Sequence, residues 1–118
     1  MRAPRREVSA VTHAYDLALW LLQRVADFPR AHRFTLGERI EDATLEALEL
    51  LVEASYTRDK AALLTAANRR LDRLRYLVRM AKDLRMMTTK QYEFAVRGML
   101  EIGSEIGGWL RSEGDRSA

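Results

Sequence analysis

NRRLDRLRYLVRMAKDLR, residues 68–85, reads as one amphipathic α-helix with a basic exterior. Leu71, Leu74, Leu77, Val78, Ala81 and Leu84 recur at three- and four-residue spacing, which marks a single buried face. Around that stripe stand Arg69, Arg70, Arg73, Arg75, Arg79, Lys82 and Arg85, with only Asp72 and Asp83 of opposite sign. At about 100° per residue, Arg69, Arg73, Tyr76 and Met80 share one exposed flank and Arg75, Arg79 and Lys82 the other. Arg70 falls inside the apolar stripe, so it snorkels or pairs with a carboxylate. Upstream the pattern continues through Ala67 and Leu63, with Leu64 at the edge, to a start near Arg58.

Working outward, three more helices complete the chain. Helix 1 is predicted over Val11–Asp27, with Ala14, Leu17, Leu21, Val25 and Phe28 inward. Tyr15, Leu19, Leu22 and Ala26 make it apolar over more than half its circumference, as expected of a helix that touches another subunit. Trp20 projects near its polar side. Pro29 stops it. Thr35 and Glu38 have the spacing of a capping box, with Phe34 placed as a staple, and open helix 2, Leu36–Ser55. Leu36, Ile40, Ala43, Ala47, Leu50, Leu51 and Ala54 face inward there, while six carboxylates crowd the outside. Thr57 is the expected N-cap of helix 3. Thr88 and Gln91 form a second capping box, from which helix 4 runs to Leu110. Gly103 and Gly107, one turn apart, offer a line of close helix approach. The fold expected is an all-α antiparallel four-helix bundle over residues 11–110. A basic N-terminal arm, 1–10, precedes it and a polar tail, 111–118, follows; both are expected to be mobile.

A chain of 118 residues is sized for one domain with a real core. The net charge of +3 is unevenly spread. Residues 35–55 carry one basic residue against six acidic, and residues 56–85 carry nine basic against three acidic. Neighbouring antiparallel helices of opposite sign complement each other, but arginine is left in excess. Guanidinium groups offer bidentate phosphate geometry, so the excess points to a polyanion. Without base-reading elements, such binding is electrostatic and salt-dependent.

Several chemistries lack their residues. There is no cysteine, hence no disulfide, thiolate metal site or cysteine nucleophile, which is compatible with a cytoplasmic setting. No apolar run is long enough to span a bilayer or to form a signal peptide, so no membrane association is expected. The only histidines, His13 and His32, follow Ala10 and Pro29 by three, so neither completes the Glu-x-x-His pair of di-metal bundles. No phosphate loop, dinucleotide fingerprint or nucleophile elbow is present. No cofactor and no catalytic residue is expected.

The chain resembles the accessory variability determinant family of diversity-generating retroelements over roughly residues 15–110. The pieces that carry the resemblance are FPRAHRFTLGERI, LRYLVRMAKDLR, KQYEFA and the closing IGGWL. Proteins encoded in ribosomal-RNA intervening sequences share the implied fold but fit the pattern less well. The resemblance implies a four-helix bundle assembled as a barrel-shaped homopentamer. It further implies a non-catalytic accessory that binds nucleic acid, template RNA above all, and a reverse transcriptase during mutagenic retrohoming. On this reading Arg69, Arg70, Arg73, Arg75, Arg79, Lys82 and Arg85 neutralise phosphate or meet an acidic partner. The alternative is a stand-alone interaction bundle whose arginines serve subunit contacts.

Overall fold

Four long helices carry the chain in the structure, a computed structural model that describes the backbone of residues 5–117 and the side chains of residues 9–114. They are α1 (Arg5–Ala26), α2 (Glu38–Tyr56), α3 (Ala61–Asp83) and α4 (Thr89–Ser117). No strand occurs among the described residues. Each helix packs on the next, and α4 closes back on α1. The pairings run antiparallel: Leu17 meets Gly98 while His13 meets Glu105, and Asn68 meets Gly103 while Lys82 meets Tyr92. The result is a bundle 49 × 22 × 21 Å.

The core is the sum of the four stripes. Ala14, Leu17, Leu21, Val25 and Phe28 of the first stripe are all buried, as are Leu71, Leu74, Val78 and Ala81 of the third. Leu64 rather than Leu63 lies in the centre, and Leu84, read as part of the stripe, is exposed beyond the end of α3. Trp109 is buried at one end of the bundle, and no hydrogen-bond acceptor among the described residues reaches its indole N–H.

The connections differ most from the sequence expectation. After Pro29 the chain turns helical at once, through Arg30–His32 and a wide π-helical turn at Arg33–Gly37. Proline's fixed φ suits the first turn of a helix, so Pro29 both ends α1 and starts the next helical run. Thr35 therefore sits inside a helical turn, and its hydroxyl donates back to the His32 carbonyl (3.3 Å). The expected Thr35–Glu38 capping box does not form, because helical backbone before α2 leaves no free N–H groups for it to cap. Phe34 is no staple: it is 62% exposed, with the Arg33 guanidinium 5.9 Å from its ring centroid.

Thr57 likewise caps nothing at α3. Its hydroxyl donates to Glu53 O (2.7 Å), closing α2 instead. The following helix starts at Ala61, three residues beyond the expected Arg58, because Lys60 folds back over the end of α2. Its ammonium, 8% exposed as a residue, donates to Ala54 O (2.9 Å) and Thr57 O (2.5 Å). A cation is favoured at that negative helix end. The Thr88–Gln91 capping box is present in both directions: Gln91 N–H to Thr88 Oγ1 is 3.0 Å, and Thr88 N–H to Gln91 Oε1 is 2.9 Å.

At both ends the described helices run beyond the expected bundle limits of residues 11 and 110. Helix continues through Arg5–Ala10 and through Arg111–Ser117, segments read as an arm and a tail. Neither contains a proline, and Gly114, which costs about 1 kcal/mol, does not break the last turns. Residues 1–4 and 118 of those two segments lie outside the described residues. Close approach occurs at other glycines than the pair expected. A Cβ at Gly37 would lie 3.0 Å from Val25 Cγ1, and one at Gly98 3.3 Å from Leu17 Cδ1. At Gly103 the nearest contact is 3.7 Å, and at Gly107 it is only Arg111 of the same helix.

Candidate nucleic-acid interface

The seven cations expected on α3 divide three ways. Arg69, Arg73, Arg79 and Arg85 are exposed, and their side chains have no hydrogen bond, ion pair or ring contact with any described residue. Arg75 and Lys82 are lightly held. Arg75 Nη2 lies 3.3 Å from Asp72 Oδ1, one turn away. Lys82 Nζ lies 3.5 Å from Asp83 Oδ1 and 4.8 Å from the centroid of the Tyr92 ring. Exposed pairs of this kind are worth well under about 1 kcal/mol and yield easily to a phosphate. Arg70 is engaged differently: it turns to α2, where its Nε meets Glu46 Oε1 at 2.7 Å. Of the two roles open to it, pairing is the one observed, and it ties α2 to α3.

Packing adds features that one helix cannot supply. Along the α3–α4 seam lies a shallow groove of about 230 Å³, lined by Arg75, Tyr76, Arg79, Tyr92 and Val96. At the turn between the helices a wider depression of about 520 Å³ is lined by Lys82, Arg85, Thr88 and Gln91 among others. Arg85 stands on that turn with φ 63°, the left-handed conformation. Its N–H donates to Lys82 O (2.9 Å) and the Met86 N–H to Ala81 O (2.8 Å), a Schellman closure in which glycine is the usual occupant of Arg85's place.

A second polar cluster joins α1 to α4. His13 Nδ1 lies 2.8 Å from Glu105 Oε1 and 3.7 Å from Glu101 Oε1. The Ser9 hydroxyl donates to Glu105 Oε2 and sits 3.4 Å from the same His13 nitrogen. Serine, histidine and glutamate in contact have the composition of a catalytic triad but not its order. Ser9 and Glu105 meet the same imidazole nitrogen, Nδ1, and the serine donates directly to the carboxylate, so the cluster lacks the relay through opposite ring nitrogens that a triad uses. The hydrogen bond to Glu105 holds the His13 pKa above its ordinary 6.5 against the opposing effect of burial. Helpful fields from Glu105, Glu101 and Asp16 act in the same direction as that hydrogen bond.

A model of the bAvd-like family matches residues 9–113. The chain belongs to the bAvd-like family. The match takes in α2 and α3 entire and most of α1 and α4, as the resemblance to accessory variability determinants implied. That family is of accessory, non-catalytic type, linked to diversity-generating retroelements. No curated protein matches the bAvd-like chain. Among its described residues no helix is long and apolar enough to cross a membrane, and no group of histidine and carboxylate side chains is arranged to hold a metal ion.

What sequence reasoning missed in this bAvd-like chain lies on α4. Tyr92 and Val96 are half-buried and form the far wall of the basic groove. A tyrosine at the margin of an apolar stripe was the only available signal, since its polar tip tends to reach water. Nothing in the sequence joins Ser9 and His13 to Glu105, because the contact spans more than ninety residues.

Proposed function

We propose that this bAvd-like protein is a non-catalytic accessory of a diversity-generating retroelement. It binds template RNA through α3, engages a reverse transcriptase and assembles as a homopentamer in the cytoplasm, supporting mutagenic retrohoming. The observation that carries the reading is the set of unpaired guanidinium groups. Arg69, Arg73, Arg79 and Arg85 project from one helix and its C-terminal turn with no carboxylate paired to them among the described residues. Their concentration on one helix and its closing turn is what supports a polyanion as partner. Guanidinium matches phosphate with two parallel N–H donors. For assembly, the support is apolar surface left open on α1 and α2: Tyr15, Leu19, Leu45 and Val52 are all exposed in the single chain.

The test is fluorescence-anisotropy titration with a structured RNA at several salt concentrations. About four phosphate contacts should give a log–log salt slope near 3. The variant Arg69→Glu/Arg73→Glu/Arg79→Glu should lose most of that slope and at least about tenfold in affinity. Circular dichroism and light scattering verify that it is folded and assembled, at five times the 13.6 kDa chain mass. Pull-down of the reverse transcriptase tests the second partner. A well-folded oligomer that ignores RNA at low salt overturns the nucleic-acid reading and assigns the arginines to a protein interface.

A further inference from the structure

The geometry points to the α3–α4 groove as a stacking site for an unpaired base, so that the protein selects single-stranded over duplex nucleic acid. This rests on the nucleic-acid reading of α3 and goes beyond it. Charge alone explains attraction to phosphate, but it does not explain Tyr76. That ring is 70% exposed on the outermost line of α3, and it has no ring partner or hydrogen bond with any described residue. It sits within one turn of Arg73 and Arg79 and rises beside a groove whose opposite wall is Tyr92. Lys82 covers Tyr92 at 4.8 Å, so cation and aromatic groups already alternate across the seam.

The size of the groove narrows the ligand. At about 230 Å³ it is below the usual range of roughly 300–1,000 Å³ for small-molecule pockets, and it is open. It suits one flat heterocycle inserted edge-first between two tyrosines, with its phosphates left outside. Arg69, Arg73 and Arg79 span roughly 15 Å of helix at 1.5 Å per residue, so they can hold backbone on both sides of such a base. A base inside a duplex cannot enter, because both its faces are covered by its neighbours. Asp72 and Asp83 also stand near the outermost line of the helix. A rigid duplex laid along α3 would bring phosphate against them, whereas a flexible strand can pass to either side. Unpartnered guanidinium groups on α3, beside two tyrosines lining one groove, favour an occupant that carries both a phosphate and a flat ring.

Anisotropy titration of the full chain with three labelled probes of equal length tests this: an unstructured oligouridylate, a blunt RNA duplex and an abasic single strand. The expected order is oligouridylate tightest, with duplex and abasic strand each about tenfold weaker. Tyr76→Ala should weaken oligouridylate binding about tenfold and leave the other two unchanged, while Tyr76→Phe, which keeps the ring, binds like the parent. Tyr76 is exposed, so neither variant should disturb the fold, which circular dichroism checks. If the parent binds the abasic strand or the duplex as tightly as oligouridylate, or Tyr76→Ala changes nothing, the stacking site is overturned while electrostatic binding stands. If no probe binds at low salt, both readings fall. Loss of reverse-transcriptase capture by Tyr76→Ala would then assign the groove to a protein partner.

Discussion

Arg85 holds a left-handed backbone, φ 63°, that costs an L-residue about 1 kcal/mol and glycine almost nothing. The two Schellman hydrogen bonds need only the backbone, so the side chain contributes nothing to the closure itself. Arg85→Gly should therefore raise stability by about 1 kcal/mol, a midpoint gain of about 4 °C in thermal unfolding. The same substitution should weaken RNA binding by removing one unpaired cation. An unchanged affinity would mean that Arg85 is merely tolerated there. Lys60 is the contrasting case at this scale: a buried cation whose three-donor head is used locally, on the carbonyls that end α2.

At the scale of elements, two sequence motifs of the same form meet different fates. Thr88–Gln91 follows the turn after α3, where the first N–H groups of α4 would otherwise face water, and the box closes. Thr35–Glu38 follows a proline that restarts the helix early, and its threonine bonds to His32 instead. Thr88→Ala should cost about 1 kcal/mol by denaturant unfolding, and Thr35→Ala only a few tenths. Equal losses would contradict the assignment of where α2 and α4 begin. The α3 stripe was legible because periodicity is local, and the four helices follow from it. The edges were less legible, since which leucine is central, Leu63 or Leu64, depends on the neighbour it meets.

At the scale of the molecule, His13 and Glu105 couple the first helix to the last. Protonated His13 is favoured in the folded state, because Glu105 accepts from it and Glu101 and Asp16 add to the field. The Ser9 hydroxyl is a further polar neighbour in the cluster. With the folded pKa raised above the unfolded 6.5, the added stability is full below about pH 6.5 and is lost as pH rises through the folded value. The side chain is 36% exposed, which limits the effect to less than about 1 kcal/mol. Urea midpoints should fall as pH rises above about 6.5 in the parent chain, and the fall should flatten in His13→Gln. A parallel fall in both proteins would remove His13 as its source.

The sequence by itself determined the helix count, the inward stripes, the Thr88 cap and the concentration of arginine on α3. All of these depend on residues within a few turns of one another. It also carried the family, through loop and cap residues that helical periodicity does not dictate. Only the tertiary structure decided which arginines are free. Arg70 and Glu46 lie on different helices, and whether they pair depends on how α2 and α3 align. The same holds for the groove, where Tyr76 and Tyr92 become neighbours across a seam that exists only once α4 has packed against α3. Periodicity identifies the face a helix turns inward, whereas the side chains that meet across two helices are set by their relative rotation and offset, which no single helix encodes.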